Sequence, residues 1–169
     1  MSAVVAQLAA VRALERGLAA LFASEEYSSE WPGAPVPQLF EGGEPTTPTA
    51  CCAWVGQLPE DEEAGSDSTC MHETVSWSVI VYAVCRRSER QAAVEGCLAM
   101  ADAVRAVALC APTLAGACTA TTARLDSASA GQDQERKWTC ACAVEVRCTR
   151  ADAHAPASVS RIVREAVSA

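Results

Sequence analysis

The residues of this chain best able to do chemistry are its ten cysteines. A thiolate can act as a nucleophile, ligate a metal or join a disulfide, and its surroundings decide which. Cys85, Cys97, Cys140 and Cys142 fall on apolar faces of predicted elements, where free Cys behaves as a small buried hydrophobe. Cys51, Cys52, Cys70, Cys110, Cys118 and Cys148 fall near predicted segment ends or loops. These six are the candidate disulfide formers, within or between chains, in an oxidising environment. For a metal, Cys70 and His72 with Cys51 and Cys52 make the best grouping, but their spacing is not that of a zinc finger, ribbon or knuckle. Cys140-Ala141-Cys142 is not a redox Cys-x-x-Cys, and it sends both thiols to one face of a strand. Nothing in the sequence places a base and an orienter beside any thiol, and His72 and His154 lie far apart. There is no glycine-rich phosphate loop, nucleophile elbow or zinc-protease helix. The residues therefore predict no enzyme, no metal and no cofactor.

A length of 169 residues predicts one domain, large enough to bury a core without staples. Half the residues are hydrophobic, but many of these are Ala, so few large side chains build that core. The net charge of -8 argues against gripping a phosphate backbone, which needs clustered Lys and Arg. It leaves room for nucleic acid to pass nearby without being held. Arg12, Glu15 and Arg16 interrupt the apolar run that an export leader would need. The longest uncharged stretch, Ala106 to Ala123, is too short and too broken by Pro112 and Gly116 to span a membrane. Folding in the cytoplasm, away from membranes, is the expectation.

The elements that must position these residues follow from hydrophobic period. Trp138, Cys140, Cys142, Val144, Val146 and Cys148 share one parity, which predicts a strand with one buried face. Val75, Trp77, Val79, Val81 and Ala83 do the same in a strand from about Cys70 to Cys85. There Ile80, Tyr82 and Val84 make the second face apolar too, which predicts a central strand covered on both sides. Ala3 to Ala23 predicts a helix with Val4, Leu8, Val11, Leu18 and Leu21 as its stripe, flanked by Leu14 and Phe22. Ser24 to Thr49, rich in Pro and Gly, predicts a long irregular connection with a short extended piece near Val36 to Phe40. Ala50 to Leu58 predicts a short strand, and Pro59 to Asp67 a solvated acidic loop. Ser88 and Gln91 resemble a capping box opening a helix that runs to Leu109, with Val94, Cys97, Leu98, Ala101, Val104 and Ala108 inward. A Thr-rich strand from Ala117 to Ser127 and a polar turn from Ser127 to Glu135 lead into the last strand. Val159, Ile162, Val163, Ala166 and Val167 predict a short terminal helix. Trp77 and Trp138 read as core, and Trp31 as a contact residue. The fold class expected is α+β: a small, mostly antiparallel sheet of about four strands with an N-terminal and a central helix packed on it. Residues 1–150 form the single domain and 151–169 an extension.

This order of elements, with Asp133-Gln134-Glu135-Arg136-Lys137-Trp138 leading into Val144-Glu145-Val146, resembles the tail terminator proteins (tail completion, head-to-tail joining) of long-tailed bacteriophages. The resemblance runs from Val4 to Arg150 in element order and texture. It implies a virion structural protein that forms a hexameric ring on the last ring of the tail tube, ends tube growth and meets the neck or connector. Partners would be further copies of the chain, the tube protein, the connector and, in some tails, a sheath, with DNA passing through the lumen unbound. Exposed loops on a rigid scaffold are the natural contacts. They supply Trp31 and Phe40, then Glu60, Asp61, Glu62 and Glu63, and then Asp133, Glu135 and Arg136. The cysteine content departs from the family, which implies disulfides that strengthen the mature particle. Competing readings are another neck, head-completion or tail tube protein, and a cysteine-based metal-binding protein.

Overall fold

Alternating apolar residues become paired strands, because a strand can bury one parity only against a covering layer. The structure, a computed structural model, describes residues 3–39, 49–53, 60–61 and 72–153, with side chains within 5–39 and 76–150. In chain order the elements are α1 (Ala3–Phe22), α2 (Glu25–Glu30), β1 (Gln38–Leu39), β2 (Thr49–Ala53), β3 (Glu60–Asp61), β4 (His72–Arg87), α3 (Arg90–Cys110), β5 (Ala120–Gln132) and β6 (Trp138–Ala153). The class is α+β. The sheet order is β1-β2-β4-β6-β5, with β3 on the same β4 edge as β2. Three long antiparallel strands, β4, β6 and β5, make its body. The remaining strands are short: five residues in β2, two each in β1 and β3.

The β4–β6 register places Val79 opposite Val146, Val81 opposite Val144, Ala83 opposite Cys142 and Cys85 opposite Cys140. All of these side chains are buried, in one core with α1 and α3. Burying one Val contributes roughly 1.5–3 kcal/mol. Four of them together match the net stability of a typical domain, about 5–15 kcal/mol.

Both long helices turn a face of smaller residues inward than their large side chains predict. On α1, Leu8 is exposed and Val11 and Leu21 are half-buried, while Ala6, Ala10, Leu14, Leu18 and Phe22 are buried. On α3, Leu98 is exposed, and Gly96, Met100 and Val107 join the inner face. Close approach is the reason. A Cβ on Gly17 would stand 2.7 Å from Val107 Cγ1, and one on Gly96 2.9 Å from Cys85 Sγ.

Several expectations are corrected. β4 is not covered on both sides: Tyr82 is 38% exposed and Ile80 and Val84 are half-buried. The described helices all pack on the opposite face, where Ala and Cys let them come close. The capping box does not form. Glu89 is the N-cap of α3 without a side-chain cap, and Gln91 Nε2 donates instead to Glu95 Oε1 at 2.7 Å. The irregular connection opens with a helix, α2, whose N-cap Ser24 accepts from the Tyr27 N–H at 3.3 Å. Glu60 and Asp61 pair as β3 with Ser76 and Val75 rather than remaining loop. Ser127 to Gln132, expected as turn, is strand, and β6 runs on to Ala153, into the expected extension. In both places ladder hydrogen bonds satisfy backbone groups that local polarity would leave to water. The terminal helix expected around Val159 to Val167 lies outside the described residues.

Candidate functional site

The turn joining β5 to β6 is the best-defined of the expected contact loops. Within Asp133 to Lys137, the Asp133 N–H donates to Lys137 O at 2.9 Å, and the Lys137 N–H donates back to Asp133 Oδ1 at 2.9 Å. Arg136 takes φ +59°, the left-handed conformation a tight hairpin needs and a non-Gly residue resists. Arg86 of β4 braces the turn: its Nε donates to Asp133 Oδ2 at 2.7 Å and its Nη2 to Glu135 Oε2 at 3.1 Å. Burial pushes the Asp133 carboxyl up, but the Lys137 N–H and the Arg86 guanidinium outweigh it and hold the carboxyl below its ordinary range. Asp133, Glu135 and Arg136 are thus held together in one rigid, outward tip. Glu60 and Asp61 lie far along the sheet on β3, and Phe40, Glu62 and Glu63 lie outside the described residues.

Trp31 is half-buried against the core rather than freely presented. Its ring lies 5.5 Å from that of Tyr27, and its Nε1 donates to Asp102 Oδ2 on α3 at 3.1 Å. Tyr27, which the sequence did not mark, anchors this corner. It is fully buried, packs edge-on to Phe22 at 5.0 Å, and donates its hydroxyl to Pro35 O at 3.0 Å. Its flanking Glu and Ser residues hid it; the aromatic spacing Phe22, Tyr27, Trp31 was the available signal.

The second face of the sheet carries Ile80, Tyr82 and Val84 of β4 beside Ala141 and Ala143 of β6. A polar network borders this patch. Ser78 Oγ donates to Glu145 Oε1 at 2.6 Å, and Arg124 Nε donates to Glu145 Oε2 at 2.6 Å. The Ser78 hydrogen bond, together with the hydrogen bond and charge of Arg124, holds the Glu145 carboxyl below its ordinary value against the opposing effect of burial.

The thiols sort into different environments. Cys51 and Cys52 pair with Tyr82 and Val81, while His72 lies nine residues further along β4. At about 3.3 Å per residue that separation is roughly 30 Å. The expected metal grouping of Cys51 and Cys52 with His72 therefore does not assemble, and Cys70 lies outside the described residues. Cys110 is exposed at the end of α3. Cys118 and Cys148, expected near segment ends, are both buried, and the Thr119 N–H donating to Thr149 O at 2.7 Å brings their two stretches side by side. Burial pushes both thiols up. Cys118 follows an unusual turn in which Leu114, Ala115 and Gly116 all take positive φ, held by burial of Leu114.

The remaining thiols converge. The sulfurs of Cys97 on α3 and of Cys140 and Cys142 on β6 lie within 4.8 Å of one another, all buried. Cys97 Sγ also donates to Ala83 O at 3.1 Å. Hydrogen bonds from Cys97 and, less, from Cys140 hold the Cys142 thiol below its ordinary value although burial opposes them. Cys97 is pushed up by its bond to Cys142 and then by burial, and Cys140 chiefly by burial. Each was expected to be buried; their meeting at one point was not. No base of another kind joins them among the described residues, so the cluster is suited to ligation rather than to nucleophilic catalysis.

No described helix is long and apolar enough to cross a membrane. No protein-family model and no curated protein matches the chain.

Proposed function

We propose that the chain is a structural, non-catalytic subunit of a long-tailed phage virion, a tail terminator. It forms a ring, hexameric in this reading, on the last ring of the tail tube, ends tube growth and meets the neck connector. The observation that carries the proposal is the second face of the sheet. It presents Tyr82, Ile80 and Val84 on β4, at one side of the three-stranded body, bordered by the charged pair Arg124–Glu145. An apolar centre with a polar rim suits packing against another copy of the chain. A head-to-tail contact between unlike surfaces closes into a ring when the rotation closes. The braced tip at Asp133 to Lys137 stands at one end of the sheet, where a ring would meet its axial neighbours. A net charge of -8 fits a lumen that lets DNA pass without retaining it.

The test is the solution mass of the full chain by light scattering on a size-exclusion column, with and without reductant and with and without purified tail tubes. A mass near six times the 17.6 kDa chain, alone or on addition of tubes, is the expected result. Tyr82→Asp is expected to lower it to that of the single chain while leaving the circular dichroism unchanged. A stable monomer that ignores tubes sinks the proposal.

A further inference from the structure

We propose that Cys97, Cys140 and Cys142 form a closed structural site for zinc, with Cys85 as the fourth ligand. Zinc in structural sites is tetrahedral, with Zn–S bonds of about 2.3 Å, which places neighbouring sulfurs about 3.8 Å apart. The three sulfurs already lie within 4.8 Å of one another, so a contraction of about 1 Å, within reach of small χ1 rotations, brings them to that spacing. Cys85 faces Cys140 directly across the β4–β6 ladder, on the same buried side.

The backbone makes this donor set. Cys140 and Cys142 are two apart on β6 and share a face, and α3 crosses that face with Cys97 on its inner side. Gly96 is what lets α3 come this near, since any Cβ there would meet Cys85 Sγ. In the metal-free protein the Cys97 thiol donates to Ala83 O and so holds that sulfur against the sheet, a bond given up when the thiol loses its proton to ligate. A disulfide would use two of the three clustered thiols and strand the third; a metal uses them all. The cluster is buried on every side, so it has no place for a reacting water and is structural rather than catalytic. Each ligating thiol gives up its proton to solvent as zinc enters, so uptake weakens as the pH falls. Bound zinc would tie α3 to both β4 and β6. This inference does not rest on the ring reading.

The test refolds the full chain under a thiol-free reductant, with zinc or with a chelator, and measures retained zinc after dialysis. Wild type is expected to keep about one zinc per chain and to unfold at a higher temperature than the chelated protein, since a ligand that binds only the folded state stabilises it. Cobalt in place of zinc is expected to give thiolate-to-metal charge-transfer absorption. Cys142→Ala and Cys97→Ala are expected to lose metal retention at least tenfold, while Cys110→Ala, outside the site, keeps it. Should a variant fail to fold, the wild-type retention and its zinc-dependent melting shift decide alone. Wild type that retains no zinc and melts identically with chelator overturns the proposal, as does a folded Cys142→Ala that retains zinc undiminished.

Discussion

At the scale of single residues, ionisable groups here act through their neighbours. Glu145 has its folded value held down by Ser78 and then by Arg124. A depressed carboxylate contributes stability that is complete above its unfolded value, about 4.3, and is lost as the pH falls through the folded value. Glu145→Gln keeps the shape and removes the charge. The wild type is expected to exceed it in unfolding free energy from urea denaturation near neutrality, by about 1 kcal/mol or less because Arg124 is exposed. That gap should close as the pH falls below about 4. A gap that persists in acid would assign the effect to packing instead. The Cys118–Cys148 neighbourhood makes a second prediction. With oxidised glutathione as electron acceptor, the two thiols are expected to form one intrachain disulfide, releasing reduced glutathione. Closing a loop of this size would stabilise the oxidised form by about 3–4 kcal/mol. Formation should be slow, since both thiols are buried and pushed up. Mapping of alkylated peptides checks it, and finding both thiols still alkylated after prolonged oxidation would refute it. Of Cys110, Cys118 and Cys148, only Cys110 is exposed enough to bridge two subunits.

At the scale of elements, small residues set how closely the helices approach. Gly17→Ala should gain about 1 kcal/mol of helix propensity. It also drives a methyl to 2.7 Å from Val107 Cγ1, a side chain that is itself buried. Overpacking of this kind costs about 1–3 kcal/mol, so the net expectation is a loss. Val107→Ala alone should also destabilise, but the double variant should be more stable than the sum of the two singles predicts. Urea denaturation of the four proteins measures that coupling; simple additivity would mean that α1 and α3 adjust freely. The helices and long strands were legible as elements because their apolar periods are local. Their inner faces were less legible. Leu8 and Leu98 look like core residues by type, yet they lie outside because Ala6, Ala10 and Gly96 permit a closer contact than any Leu would.

At the scale of the whole molecule, the two long helices share one side of the sheet and leave Tyr82 on the other. The ring proposal lives on that asymmetry, and the mass measurement with Tyr82→Asp tests it at the same scale. The sequence by itself determined the α+β class, the three long strands, the two long helices and the burial of Cys85, Cys97, Cys140 and Cys142. Each of these follows from period and residue type within one segment. Only the tertiary structure decided that β4 is covered on one side, that Cys51 on β2 pairs with β4 far from His72, and that Cys118 comes beside Cys148. It also decided that a helix thiol joins two strand thiols at one point. Those outcomes depend on strand register and helix crossing. Both are set by the packing of segments far apart in the chain, and no local pattern encodes which of two apolar faces a helix will choose.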